Sequence, residues 1–241
     1  MRLAVISDIH GNLEAFTRVL TDIEHSGVDD IVCLGDIVGY GPDPEAVVDR
    51  IRARHIVTLM GNHELGVSDP GFLKYFNPLA RQSLEKTIPL LSGESLRFLG
   101  RLKHSRIRYT CRFVHGFPPD SVRTYLFQVS DGTIKSVFEK ITENLCFIGH
   151  THLPAIVAFD GRSVLRRGFE KGRIALDRNR RYIINVGSVG QPRDGDNHAK
   201  YAIWDSDKGQ LELRYVSYDI GTVAAKITAL GFPEAHARRL W

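Results

Sequence analysis

Short apolar runs alternate with stretches of helical spacing along the first third of the chain. Each run is nearly continuous, and a polar or glycine-containing segment ends it. Between the runs, apolar side chains recur every three or four residues, which indicates amphipathic helices. The expected strands cover 3–6, 31–34 and 56–60, and the expected helices cover 13–23 and 45–54. Strands buried on both faces and joined by helices predict a parallel sheet with right-handed crossovers.

The pattern changes in the rest of the chain. A helical pattern spans 77–101, interrupted at Pro89 and at Ser92-Gly93, and belongs to a predicted helical insertion at about 65–108. Further strands are expected at 109–114 and 145–148, a hairpin at 201–205 and 211–215, and a short helix at 222–230. Parallel units followed by hairpins predict an α/β (α+β) fold in which two mixed sheets pack together with helices outside. We expect a single domain over 1–241.

Composition narrows the class of protein. With 241 residues, 43% of them hydrophobic and 25% charged, the chain can bury a core without disulfide bonds. Cys33, Cys111 and Cys146 lie in apolar runs, so we expect free, buried thiols in a reducing compartment. No signal peptide is expected, and no apolar stretch approaches the ~20 residues that span a bilayer. These features favour a cytoplasmic protein that is not bound to a membrane.

Five of the apolar runs end in a short polar signature. The signatures are Asp8-Ile9-His10, Gly35-Asp36, Gly61-Asn62-His63-Glu64, His115-Gly116 and Gly149-His150-Thr151-His152. Because the carboxyl ends of strands in an open α/β sheet lie along one edge, we expect these signatures to converge. Each one alone is commonly an ordinary turn, but their joint occurrence at five strand ends favours a single site.

The residue types at these strand ends are those of a metal site. Imidazole and carboxylate ligands together suit Zn, Mn, Fe or similar divalent ions. The candidate ligands are Asp8, His10, Asp36, Asn62, His115, His150 and His152. Because one tetrahedral ion needs about four ligands, this larger set suggests two ions that share a bridging carboxylate. Such a pair can hold a hydroxide between the ions and promote an in-line displacement at phosphorus.

In this order, the five signatures resemble the motifs of the calcineurin-like metallophosphoesterases, and the resemblance extends from Met1 to about Val189. The segment Asn185–Arg193 is similar to a late segment of the small bacterial and archaeal branch of that family. The resemblance implies a four-layer α-β-β-α sandwich. It also implies one ion held by Asp8, His10, Asp36 and His152, and a second held by Asp36, Asn62, His115 and His150, with Asp36 bridging.

The resemblance implies catalytic roles as well. His63 is expected to lie over the phosphate and protonate the leaving oxygen, which suits a side chain whose pKa is near neutrality. Asp36 would contribute as the bridging ligand, and a metal-bridging hydroxide would attack the phosphomonoester or phosphodiester. Asn62, His63 and Arg193 are the expected substrate-binding residues, with Arg193 either a bidentate phosphate donor or a surface-loop arginine. Glu64 is expected either to orient His63 or to be a solvated carboxylate.

Several alternatives stay open at the level of sequence. Mn²⁺ is the favoured ion, and Fe, Zn, Ni or Co are alternatives. The expected substrate is a phosphorylated small molecule or nucleotide. Basic runs at 97–112 and 162–181 leave nucleic acid or a phosphoprotein as further partners. The alternative to an enzyme is a non-catalytic metal-binding scaffold of the same fold that binds a protein partner, and no oligomeric state is predicted.

Overall fold

The chain forms twelve strands and eight α-helices, and its first third alternates strand and helix as the apolar pattern predicts. The structure is a computed structural model that describes residues 1–241. The strands are β1 Arg2–Ile6, β2 Asp30–Cys33, β3 Val57–Thr58, β4 Ser105–Arg108, β5 Cys111–Val114, β6 Leu145–Ile148, β7 Ala155–Phe159, β8 Val164–Gly168, β9 Gly172–Ala175, β10 Arg181–Asn185, β11 Ala199–Asp205 and β12 Gln210–Val216. The helices are α1 Leu13–Glu24, α2 Pro44–Ala53, α3 Asn62–Ser68, α4 Pro78–Thr87, α5 Gly93–Leu99, α6 Asp131–Lys140, α7 Ile220–Ala229 and α8 Glu234–Arg238. Short 3₁₀ turns lie at Pro70–Tyr75, Ile88–Leu90 and Leu126–Gln128.

The strands form two six-stranded mixed sheets. The first sheet has the order β3-β2-β1-β11-β12-β9, in which β1, β2 and β3 are parallel and the later strands are antiparallel. The second has the order β4-β5-β6-β10-β7-β8, in which β5, β6 and β10 are parallel. The predicted hairpin near the end of the chain is the antiparallel pair β11–β12.

The sheets pack face to face, and helices cover their outer faces. Leu3 of the first sheet and Phe147 of the second belong to the apolar cluster between the sheets. Phe16 of α1 lies in the cluster outside the first sheet, and Phe138 of α6 lies in the cluster outside the second. Burial of these apolar faces holds the layers together. The arrangement is the four-layer α-β-β-α sandwich that the resemblance implies, and the predicted fold class is confirmed.

The segment after β3 is helical, but it ends earlier than predicted. Val67, Leu84 and Leu99, one from each of α3, α4 and α5, are buried in the same apolar cluster as α1. The prediction of helical structure up to residue 108 is wrong at its end, because Ser105–Arg108 pairs with β5 as an antiparallel strand.

The strand predicted at 109–114 starts only at Cys111. Tyr109 and Thr110 have left-handed backbone, with φ of 52° and 58°, and form the turn of the β4–β5 hairpin. Such turns are usually marked by Asn-Gly or Asp-Gly, so the sequence carries no turn signal there.

Helix α6, Asp131–Lys140, was not predicted, and it buries Ile134, Val137 and Phe138 against the second sheet. The three cysteines are free and buried, as predicted. None of the eight helices combines the length and the apolar character that a membrane span requires.

Candidate metal centre

Backbone hydrogen bonds beyond the ends of the strands bring the polar signatures together. The N–H of Asp8 donates to the carbonyl of Gly35 at 3.0 Å, and the N–H of His10 donates to the carbonyl of Asp36 at 2.9 Å. In the second sheet, the N–H of Gly149 donates to the carbonyl of His115 at 2.9 Å. The loops after β1, β2, β5 and β6 therefore meet at one edge, where the sequence analysis placed them.

Five of the predicted ligands have left-handed backbone. Their φ angles are 55° at Asp8, 51° at His10, 51° at Asp36, 68° at His150 and 60° at His152. A positive φ is uncommon for a residue other than glycine, although Asn, Asp and His adopt it more readily than most. This conformation costs on the order of 1–3 kcal/mol per residue and tends to cluster at functional sites. Sharp turns at the strand ends thus aim these side chains at a common point.

Two glycines of the signatures make room for the carboxylates. A Cβ atom on Gly61 would overlap Oδ1 of Asp36, and a Cβ atom on Gly149 would lie 2.5 Å from Oδ2 of Asp8. Both approaches are closer than any real side chain allows, so only glycine fits at these positions.

The first group of donor atoms consists of Asp8, His10 and His152. Nε2 of His152 lies 3.2 Å from Oδ1 of Asp8, and Nε2 of His10 lies 3.8 Å from the same oxygen. All three side chains are buried. Burial alone would raise the pKa of Asp8, but the facing rings of His152 and His115 hold it well below its usual range. This carboxylate is therefore ionised in the folded protein.

The second group consists of Asp36, His115 and His150. Nε2 of His115 lies 3.2 Å from Oδ2 of Asp36 and 3.2 Å from Nδ1 of His150. The same Oδ2 atom lies 3.8 Å from Nε2 of His10, so Asp36 faces both groups. Burial would lower the pKa of His115, but Asp36 and Asp8 raise it to about 9. The two carboxylates thus favour a positive charge at this position.

Backbone carbonyls fix the tautomers of two rings. Nδ1 of His10 lies 3.1 Å from the carbonyl oxygen of Val38, and Nδ1 of His152 lies 2.5 Å from that of Gln191. A carbonyl oxygen only accepts, so each Nδ1 carries the proton in the neutral ring and each Nε2 presents a lone pair. These two Nε2 atoms are 3.1 Å apart. Two facing lone pairs repel each other unless a cation lies between them.

Two buried oxygens without hydrogen-bond partners also indicate that the site binds divalent ions. The buried oxygens Oδ1 of Asp8 and Oδ1 of Asn62 have no hydrogen-bond partner. A buried acceptor without a partner is costly, and a metal ion would satisfy both oxygens. The residues present therefore match the metal centre that the family resemblance implies.

His63, the predicted general acid, is the second residue of α3. Its backbone N–H donates to Oδ1 of Asp36 at 2.9 Å, and its Nε2 lies 4.0 Å from Oδ2 of the same residue. Tyr40 packs against the ring, with 4.5 Å between the ring centroids. Burial lowers the pKa of His63 to about 4. Burial therefore favours the neutral ring in the free site.

Glu64 has neither of the roles expected from the sequence. Its carboxylate is fully buried and accepts backbone N–H bonds from Asp36 at 2.7 Å, Ile37 at 2.8 Å and Gly61 at 2.8 Å. Glu64 is therefore not solvated, and it forms no hydrogen bond that would orient His63. Burial and the charge of Asp36 raise the pKa of Glu64 to about 7. Glu64 instead ties the loop after β2 to the first turn of α3.

The end of β10 and the segment that follows it form hydrogen bonds to the loops after β1 and β6. The hydroxyl of Ser188 donates to the carbonyl of Asp8 at 2.8 Å, and the N–H of Gly190 donates to the same oxygen at 2.9 Å. The side chain of Asn185 donates to the carbonyl of Gly149 at 2.6 Å. The sequence analysis singled out this segment by resemblance alone, and these bonds show that it fixes the loops that carry the candidate ligands.

A cavity of about 250 Å³ opens onto the two groups. It is lined by Asp36, Tyr40, Asn62, His63, Phe72, Tyr75, Phe76, Asn77, Ala80, Arg123, Tyr125, Gln128, His150, His152 and Arg193. All three predicted substrate-binding residues therefore lie on its wall. The aromatic side chains and Arg123 were not predicted, because no motif marks them and only the folded insertion and the loop after β5 bring them here.

Two sheets that present clustered Asp, Asn and His side chains at one edge, beside an open cavity, are typical of a metal-dependent hydrolase. Residues 1–209 match the calcineurin-like phosphoesterase superfamily domain, and the chain belongs to this family. The protein is therefore a metal-dependent phosphoesterase, and the alternative of a non-catalytic scaffold is not retained.

Comparisons with individual proteins agree with this assignment. The chain is 38% identical over 244 residues to the uncharacterized protein MJ0912 of Methanocaldococcus jannaschii, covering 99% of this chain and 97% of that protein. It is 26% identical over 221 residues to the phosphodiesterase YfcE of Escherichia coli K12, covering 86% and 89%. A solved metallophosphoesterase from Sphaerobacter thermophilus superposes with a TM-score of 0.84 at 35% identity, covering 100% of this chain and 98% of that one.

Proposed function

We propose that the protein is a dinuclear phosphoesterase in which Asp36 is the ligand shared by two divalent ions. The observation that supports this most is the position of its Oδ2 atom, 3.2 Å from Nε2 of His115 and 3.8 Å from Nε2 of His10. One ion would be held by Asp8, His10, Asp36 and His152, and the other by Asp36, Asn62, His115 and His150. Bound divalent ions would supply positive charge for the phosphate and acidify the water that attacks it.

His63 is proposed as the general acid that protonates the leaving oxygen. The ring lines the cavity beside Asn62, and its backbone N–H is fixed by Asp36. A bound phosphate brings negative charge next to the imidazole and favours its protonated form, which offsets the effect of burial on the pKa. His63 would then hold a proton at the position where the leaving oxygen develops charge.

Arg193 is proposed to bind the phosphate as well, because its guanidinium carbon lies 5.8 Å from the ring centroid of Tyr40, the side chain that packs against His63. Its Nη2 donates to Oε1 of Gln191 at 2.9 Å, which orients the guanidinium, while its buried Nε has no partner. A guanidinium with unused donors matches phosphate oxygens well.

We infer a phosphorylated small molecule as the substrate, with Mn²⁺ as the favoured metal and the cytoplasm as the location. None of the residues of the basic run 162–181 lines the cavity, and several are engaged elsewhere, such as Arg173 with Glu212 at 2.8 Å. This argues against nucleic acid as the partner of that run. The free buried cysteines support a reducing compartment.

Hydrolysis of p-nitrophenyl phosphate and bis-p-nitrophenyl phosphate tests the proposed function. The protein would be treated with a chelator, dialysed and reloaded with Mn²⁺, with Zn²⁺ and Ni²⁺ in parallel. We expect turnover to disappear with the chelator, return with metal and be absent from Asp36→Ala. Turnover that survives removal of metal, or no turnover of either ester with any metal, would contradict the proposal.

A further inference from the structure

Arg123 faces the site with both its backbone and its side chain. Its carbonyl oxygen lies 3.1 Å from Nε2 of His150, so the backbone orients a candidate metal ligand. Its guanidinium carbon lies 4.3 Å from the ring centroid of Tyr75 and 5.2 Å from that of Phe72. The two functions are separable, because a substitution of the side chain leaves the carbonyl in place.

The guanidinium of Arg123 has no acidic partner. Aromatic faces attract a cation, but they do not neutralise it or occupy its N–H donors. The only carboxylate on the wall of the cavity is Asp36, which belongs to the metal centre. The rings of Phe72 and Tyr75 therefore position a positive group whose donors are free to bind an anion.

The position of Arg123 indicates a second anionic group on the substrate. Arg123 lines the same cavity as His63 and Arg193, and its side chain is exposed. It stacks on Tyr75, which is 56% exposed, so the guanidinium lies at the outer part of the cavity. An anionic group that binds there would meet a cation that no side chain of the protein neutralises.

We propose that Arg123, supported by Phe72 and Tyr75, forms a second anion subsite, and that the substrate is a small phosphoester carrying a second phosphate or other anionic group. This proposal rests on the proposed function of the metal centre. A planar guanidinium binds two oxygens of one phosphate at once, which a lysine cannot do. The cavity of about 250 Å³ lies below the size typical of sites for drug-sized ligands, which favours a small substrate over a macromolecule.

A series of alkanediol bisphosphates of two to six carbons, each paired with the monophosphate of the same diol, tests the second subsite. Phosphate release by the Mn²⁺-loaded protein gives kcat/KM for each member. We expect at least one bisphosphate to exceed its monophosphate about tenfold, since charge-assisted bonds are among the strong ones. Arg123→Met should lower this ratio about tenfold, and Tyr75→Leu should lower it by a smaller factor. Arg162→Met, an exposed arginine outside the cavity, should leave both values unchanged.

Binding measured by calorimetry provides a readout that needs no turnover. The same bisphosphate should bind the wild-type protein more tightly than its monophosphate, and Arg123→Met should remove the difference. Hydrolysis of the monophosphates with no preference for any bisphosphate would overturn the second subsite and leave the proposed function standing. An equal loss on both members of a pair in Arg123→Met would mean that the side chain has only a structural role. No hydrolysis of any member by protein that does hydrolyse p-nitrophenyl phosphate would overturn the second subsite alone. No hydrolysis of the p-nitrophenyl esters either would contradict the proposed function itself.

Discussion

The carboxyl group of Glu64 accepts the backbone N–H of Asp36 at 2.7 Å, so a buried side chain fixes the backbone of the proposed bridging ligand. The same carboxylate accepts the N–H groups of Ile37 and Gly61. The loop after β2 and the start of α3 are thereby joined through one side chain. The position of Asp36 relative to Asn62 and His63 depends on this connection.

We expect Glu64→Gln to lower the free energy of unfolding by about 1–3 kcal/mol, because the new amide nitrogen would face N–H groups and leave some of them without an acceptor. Urea unfolding of the metal-free protein measures the change. Glu85→Gln is the matched control, since Glu85 forms only an exposed pair with Arg81 and should cost about 0.5 kcal/mol or less. Equal losses in the two variants would mean that the buried carboxylate adds nothing to stability.

Asp36→Ala should abolish binding of both ions, because one carboxylate serves both groups of ligands. Elemental analysis after metal loading and dialysis measures the number of ions per chain. Asp36→Asn keeps an acceptor for the N–H of His63 and tests whether the loss follows from the charge or from misfolding. Asp49→Ala, at a side chain that is 62% exposed, should retain the wild-type number. Two ions per chain in Asp36→Ala would show that Asp36 is not the shared ligand.

His63→Ala should retain metal and lose activity in a manner that depends on the leaving group. General acid catalysis typically contributes about 10²–10⁴-fold, and a good leaving group such as p-nitrophenolate needs little of it. We therefore expect a large loss of kcat on alkyl phosphates and a small one on p-nitrophenyl phosphate. His104→Ala, at an exposed histidine, serves as the control. The same loss on all esters would remove His63 from the role of proton donor.

A pH-dependent contribution to stability should come from Asp22 of α1. Its carboxylate accepts bonds from Arg214 at 2.7 Å and from Tyr201 at 2.7 Å, which tie α1 to β11 and β12. Partial burial would raise the pKa of Asp22, but Arg214 and Tyr201 together lower it below its ordinary value. The stabilisation is therefore fully present above the unfolded pKa of about 3.9 and is lost as the pH falls through the lower folded value.

Asp22→Asn tests this dependence on pH. The difference in unfolding free energy between the wild-type protein and this variant should be largest above pH 5 and should shrink as the pH falls below about 4. Urea unfolding at several pH values measures the difference. A gap that stays constant from pH 6 to pH 3 would show that the pKa of Asp22 is the same in the folded and unfolded chain.

The position of the site at one edge of the sheets was predictable from sequence because each candidate ligand lies within four residues of the end of a strand. The order of strands and helices places Asp8, Asp36 and His150 at one edge without any knowledge of packing. The substrate side of the cavity was not predictable in this way. Phe72 and Tyr75 come from a 3₁₀ turn of the insertion and Arg123 comes from the loop after β5, and only tertiary packing brings them together.

Two local features also could not be predicted from the local sequence. The hairpin turn at Tyr109 and Thr110 uses residues that rarely adopt left-handed backbone, so local propensity predicted a continuous strand there. Glu64 follows His63 in a polar signature, which suggested a solvated or orienting role. Its burial depends on the way α3 docks against the loop after β2, and this is a contact between distant parts of the chain.

The left-handed backbone at Asp8, His10, Asp36, His150 and His152 restricts how the ion preference of this protein could be redesigned. Exchange among aspartate, asparagine and histidine preserves a conformation that these side chains tolerate. Cysteine or glutamate at the same positions would add conformational strain to any change in metal affinity. Libraries that aim at another ion should therefore vary the neighbours that fix the ligand-bearing loops, such as Ser188 and Asn185, before they vary the ligands themselves.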